Sequence, residues 1–223
     1  NRPRVVQIAG RGGIPADAVA VTVNLTVTGA TAGGYVSLTP TPTATPSTSS
    51  LNFERGDTTA NGLTVPLGPD GSLAAVYRGP AGATTHLVLD VTGYYRAAPD
   101  GATYTPAGPV RLLDSRSGVG LSGAFVANRP RVVQIAGRGG IPADAVAVTV
   151  NLTVTGATAG GYVSLTPTPT ADPPTSSLNF ERGDTTANGL TVPLGPDGSL
   201  AAVYKAPAGA TTHLVLDVTG YQR

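Results

Sequence analysis

The 223 residues carry 14 Lys and Arg against 13 Asp and Glu, with 40% hydrophobic residues, 5% aromatics, and abundant Gly (30) and Pro (20). A net charge of +1 excludes a strong basic field for nucleic acid or anionic membrane, and the absence of Cys excludes disulfides and thiolate metal sites. Val and Thr, stiff at χ1, favour strands while Gly and Pro punctuate turns, so the composition reads all-β rather than disordered. No apolar run approaches the roughly 20 residues that a membrane-spanning helix needs, so no membrane insertion is expected.

In chain order, a short run at 5–8 is closed by Gly10-Arg11-Gly12-Gly13. Residues 18–28 then alternate with period 2: Val19, Val21, Val23, Leu25 and Val27 face one way, Thr and Asn24 the other. Shorter strands follow at 35–39, 50–53, 63–67, 72–77 and 86–94, separated by Gly33-Gly34, Gly68-Pro69-Asp70-Gly71 and Pro80-Ala81-Gly82. About seven short strands in about 100 residues predict a β-sandwich, immunoglobulin-like or jelly-roll, with negligible helix. Its core should hold the Val19–Val27 row with Leu51, Phe53, Leu63, Val65, Leu67, Leu87, Leu89 and Val91.

Residues 1–96 recur at 128–223 with a constant offset of 127. The differences are Thr45/Asp172, Ser47/Pro174, Arg78/Lys205, Gly79/Ala206 and Tyr95/Gln222. So long a period matches a whole small domain rather than a solenoid unit. The expected organisation is all-β, two tandem near-identical sandwiches at 1–96 and 128–223 joined by a connecting segment at 97–127. Such close identity is typical of long tandem arrays, and because the chain opens abruptly at Asn1, further sequence upstream is expected. The connecting segment starts turn-rich, then turns strand-like at Val110-Arg111-Leu112-Leu113-Asp114-Ser115-Arg116. A plain tether has no use for Val110, Leu112, Leu113 and Phe125. The segment should pack on a core, with Leu112 or Leu113 buried and Arg111, Asp114 or Arg116 bonded to the core's polar groups. Two cores share one segment, so one core is left to seek a donor, and head-to-tail self-association is expected.

The string Pro109-Val110-Arg111-Leu112-Leu113-Asp114-Ser115-Arg116, followed by Pro142-Ala143-Asp144-Ala145, Asn151-Leu152-Thr153, Ser177-Leu178-Asn179-Phe180 and Asp217-Val218-Thr219-Gly220-Tyr221, resembles a repeat module of secreted proteins from high-GC Gram-positive bacteria. The likeness covers 109–223 in full and 1–96 without its opening string; Ser115 stands where that family usually has Thr. The resemblance implies a secreted or cell-surface accessory or structural module, and it supplies no mechanism.

Each candidate site has a plainer reading beside it. His86 and His213 are the two histidines, each at the start of a strand, and no nucleophile elbow or orienting third group accompanies them. Asp57, Asn61, Asp70 and Asp90 could offer oxygen ligands to calcium, but without the spacing of a calcium loop, and Asp70 lies in an ordinary tight turn. No cofactor is expected. Asn24, Asn52 and Asp90, with their counterparts Asn151, Asn179 and Asp217, are polar residues inside strands. With Arg111, Asp114 and Arg116 they are expected to form a polar network that docks the connecting segment. Lysine isopeptide chemistry is excluded as a repeat feature, because Lys205 is replaced by Arg78 in the first copy. Arg55-Gly56-Asp57 spells an integrin-type tripeptide, a match short enough to arise by chance. Thr41, Thr43, Thr45 and Thr48 lie in a Pro/Thr/Ser loop at 39–50 whose composition suits O-glycosylation, or simply an extended surface loop.

These readings predict a non-catalytic structural or adhesive module, secreted or on the cell surface, that assembles head-to-tail into a filament by strand or segment donation. The alternative is a carbohydrate-binding module that targets a cell-wall or surface glycan. It is weakened by the absence of Trp, which leaves Tyr35, Tyr77, Tyr94, Tyr95, Tyr104 and their counterparts to stack on sugars.

Overall fold

The computed structural model describes residues 1–97 and 101–223; residues 98–100, within the connecting segment, lie outside the described residues. The regular structure described is all strand, arranged in antiparallel sheets. The chain divides into two compact units, Asn1–Gly101 and Ala102–Arg223. From Ala102 onward, therefore, the connecting segment is part of the second unit.

Unit 1 contains β1 (Arg4–Gln7), β2 (Ala18–Thr28), β3 (Gly34–Thr39), β4 (Leu51–Phe53), β5 (Thr59–Pro66), β6 (Ser72–Arg78) and β7 (His86–Arg96). They form two sheets, ordered β1-β6-β3-β4 and β5-β2-β7. Val21, Val23, Leu25 and Val27 of β2 meet Val36, Leu38, Leu51, Phe53 and Leu73 of the other sheet in one core, the arrangement of a β-sandwich.

Val19 departs from the expected row. It is 49% exposed, because the pairing of β2 with β7 is irregular between Ala18 and Ala20 and the alternation slips by one residue there. Val146, its counterpart, is likewise exposed. Leu63, Leu87, Leu89 and Val91 also fall short of the buried core: Leu87 is exposed, and the other three are half-buried.

Unit 2 repeats this plan and adds to it. Its strands are β8 (Tyr104–Asp114), β9 (Phe125–Val126), β10 (Arg131–Gln134), β11 (Ala147–Thr155), β12 (Gly161–Thr166), β13 (Leu178–Phe180), β14 (Thr186–Pro193), β15 (Ser199–Lys205) and β16 (Thr211–Gln222). One sheet runs β10-β15-β12-β13; the other runs β14-β11-β16-β8, and β9 also pairs with β16. The connecting segment thus supplies an antiparallel edge strand. That strand begins at Tyr104, inside the stretch that the sequence marks as turns, and stops at Asp114 rather than Arg116. Pro106 and Pro109 are tolerated because an edge strand leaves one side free of ladder hydrogen bonds.

The two units differ in burial at identical residues, and the added segment explains where. Leu214, Val215, Leu216 and Val218 of β16 are buried, whereas Leu87, Val88, Leu89 and Val91 are exposed or half-buried. Val133 is 3% exposed and its counterpart Val6 47%. A Cβ built on Gly139 would meet Val110 at 2.4 Å and Leu112 at 2.9 Å, while nothing lies within 4 Å of one on Gly12. The segment therefore fills a groove in unit 2 whose counterpart in unit 1 has open space at that glycine.

Candidate functional site

The richest cluster of charged side chains is the one that fastens β8 to β16. Antiparallel pairing sets Arg111 opposite Asp217 and Leu113 opposite Leu216. The Arg111 guanidinium donates to Asp217 through Nε (2.9 Å) and Nη2 (3.0 Å), and through Nη1 to Asp114 at 3.3 Å. Arg116 closes a second fork on Asp114, with Nε at 2.9 Å, Nη2 at 2.8 Å, and its own backbone N–H at 3.1 Å. Two-pronged guanidinium–carboxylate bonds combine strength with fixed direction. Asp114, whose side chain is only 6% exposed, thus has its charge answered from both sides. The hydrogen bonds from Arg116 outweigh the cost of burial and hold its carboxyl well below the ordinary carboxylate range. Asp114 also shapes the turn after β8: its carbonyl accepts the N–H groups of Gly118 and Val119, and its N–H donates to the Val119 carbonyl.

Beside this cluster, Ser115 is 1% exposed and its hydroxyl lies 3.0 Å from His213 Nδ1. The same hydroxyl accepts the Leu214 N–H at 3.1 Å, and the Ser115 N–H donates to the Leu214 carbonyl at 3.1 Å. A hydroxyl engaged in this way continues the pairing with β16 one residue past the end of β8. This pairing of Ser115 with His213 was not anticipated from sequence; the signal for it was faint, a Ser in the docking string and a His opening the last strand.

Phe125 is the second anchor. It is fully buried, and the Arg131 guanidinium lies 4.7 Å above its ring centroid while donating to the carbonyls of Gly123 and Ser122. Downstream, the two ends of unit 2 meet: Thr103 N–H donates to the Arg223 carbonyl at 2.9 Å and Arg223 N–H to the Thr103 carbonyl at 3.2 Å.

Asn151 faces Asp217 across the β11–β16 pairing, as Asn24 faces Asp90 across β2–β7 in unit 1, so these four lie on the sheet that β8 joins in unit 2 and on its counterpart in unit 1. Asn52 and Asn179 do not. They sit on β4 and β13, in the other sheet, and donate to the hydroxyls of Ser49 and Ser176. The alternation that marked them as strand polar residues carries no information about which sheet a strand joins.

The remaining candidates resolve into local structure. Asp57 accepts the Glu54 N–H at 2.8 Å and closes the turn that carries Arg55 and Gly56. Asp70 accepts both the N–H and the hydroxyl of Ser72, which lowers its pKa. Among the described residues, no group of three or more His, Cys, Asp or Glu side chains is placed to hold a metal ion. Thr41, Thr45 and Thr48 are exposed, while Thr43 is half-buried and its hydroxyl accepts the Thr45 N–H. The loop at 39–50 is pinned by Arg78, which donates to the Ala44 carbonyl, and by the Ser37 hydroxyl, which donates to the Thr48 carbonyl. In unit 2, Lys205 binds the Ala171 carbonyl and the Asp172 carboxylate, so two of the positions that differ between copies answer one another. Of the tyrosines, Tyr77 and Tyr204 turn inward, donating to the carbonyls of Ala32 and Ala159. Tyr94 and Tyr95 are exposed but adjacent on one strand, so they point to opposite faces and make no flat platform. No protein-family model matches the chain, and no curated protein matches it.

Proposed function

We propose that the chain is a non-catalytic repeat module of a secreted or cell-surface bacterial protein, serving display or adhesion rather than chemistry. One observation carries this reading: the charged groups that could have made a reactive site, Arg111, Asp114, Arg116 and Asp217, are spent on fastening β8 to the core. The repeat and the secretory resemblance of the docking string agree with it.

The working unit on this reading is a segment followed by its core, in the order of 102–223, repeated in series. The ends of unit 2 lie side by side, joined by Thr103 and Arg223. A module built so hangs from its connecting chain and presents its loops, the Pro/Thr/Ser loop with Thr168 and Thr170 among them. Filament growth by donating 102–127 to a neighbour would uncover unit 2 as it covered the neighbour's unit 1. Such exchange gains little, so serial display is the better-supported form of the structural role.

Beads coated with the chain should adhere to bacterial cell-wall preparations or to one another, without releasing soluble wall fragments. Fragment release would overturn the non-catalytic reading. Saturable binding of one defined sugar on a glycan array, lost on replacing Tyr94 and Tyr95 by Ala, would favour the carbohydrate-binding alternative.

A further inference from the structure

Identical acceptor sequences stand in two states within one chain. In unit 2 the outer edge of β16 carries β8 and β9. In unit 1, among the described residues, β7 pairs with β2 and its other edge bears no strand. The residues that line this edge match one for one: Leu87, Val88, Leu89, Asp90 and Val91 for Leu214, Val215, Leu216, Asp217 and Val218. The space is also there. Beyond the opening at Gly12, a Cβ on Gly93 would meet a single atom of Thr22 at 3.9 Å, where one on Gly220 would strike the Tyr104 ring at 2.4 Å.

We propose that the outer edge of β7 in unit 1 is a docking site for a strand with the chemistry of Tyr104–Val126. By the register in unit 2, such a strand sets its equivalent of Leu113 opposite Leu89, of Arg111 opposite Asp90, of Val110 opposite Val91 and of Thr105 opposite Tyr94. Its equivalent of Phe125 lies against Thr85, with Arg4 in the place that Arg131 takes over the ring.

Two other occupants fit less well. The β8 of a second copy would leave its own core bare. Edge-to-edge pairing of two β7 strands would bring two Asp90 carboxylates to one interface, whereas the proposed strand brings a guanidinium. An apolar edge left open also invites unselective pairing, and the arginine gives this edge a means of choosing its partner.

The test is a dye-labelled synthetic peptide of residues 102–127 titrated into the intact 223-residue chain, read by fluorescence anisotropy and hydrogen exchange. Saturable binding of one peptide per chain is expected. Amide protection should appear in the fragment that spans Leu87 to Tyr95, whose mass differs from its counterpart because Tyr95 replaces Gln222. Peptide variant Leu113→Asp should not bind, and chain variant Asp90→Asn should bind at least about tenfold more weakly, as expected for loss of a two-pronged charged pair. The inference falls if no saturable binding occurs, or if the peptide instead displaces β8 and changes exchange only in Leu214 to Gln222. It falls equally if sedimentation shows a dimer whose β7 edge is already protected and which the peptide does not dissociate.

Discussion

Leu87 and Leu214 are the same residue in the same local sequence, one 38% exposed and the other fully buried. Leu→Ala at each position is therefore an internal control for what β8 contributes. At Leu214 the substitution removes about three methylene equivalents at about 0.8 kcal/mol each and leaves a cavity in the closed core of unit 2, for a loss of about 3 kcal/mol. At Leu87 part of the side chain is already in water and the site is open to solvent, so a loss of about 1 kcal/mol is expected. Calorimetry of the full chain reads both, since the transition that moves identifies its unit. Unit 2 should drop on the order of 10 °C with Leu214→Ala, and unit 1 by a few degrees with Leu87→Ala. Equal losses at the two positions would refute the claim that the segment seals the core.

Three further outcomes follow from the same geometry. Gly12 and Gly139 share a φ of 56°, so Ala costs the same backbone strain at both; Gly139→Ala should destabilise its unit by about 1–3 kcal/mol more, through overpacking against Val110 and Leu112, as measured by urea unfolding. The depressed carboxyl of Asp114 contributes stability to unit 2 that is fully present above the ordinary carboxylate value near about 4 and lost as pH falls through its lower folded value. Acid titration followed by circular dichroism should show this loss in unit 2, and Asp114→Asn should weaken the dependence, leaving the part carried by Asp197, whose pKa is lowered by its hydrogen bonds from Ser199. Pulled from Ala102 and Arg223, unit 2 should unzip β8 from β16 pair by pair at low force, because the antiparallel strands start apart at Thr103 and Arg223; a high shear-type force peak in single-molecule stretching would contradict the arrangement of its ends.

Much of the architecture was legible from local signals. Val21, Val23, Leu25 and Val27 alternate cleanly and line the core, and the glycine turns fall between strands where the residues require them. Val19 misled because alternation says nothing about a bulge in the partner pairing. Leu87, Leu89 and Val91 read as core because their sequence is that of a core strand; whether they are covered depends on a strand from elsewhere in the polypeptide. Tyr104 to Pro109 read as turns because two prolines are hard to place in a strand unless its position at a sheet edge is known. Arg111, Asp114, Arg116 and Asp217 were legible as a polar group seeking partners, whereas Asn52 and Asn179 needed the sheet order to be set apart.

On the proposed reading, a complete module is a core together with the strand preceding it. Hydrogen exchange of the untreated chain tests this most directly, through the two fragments spanning Leu87–Tyr95 and Leu214–Gln222. The second should exchange slower by an order of magnitude or more at its outward-facing amides, beginning with Leu214, whose N–H is held by the Ser115 hydroxyl. Indistinguishable exchange in the two fragments would show that β8 does not complete the core.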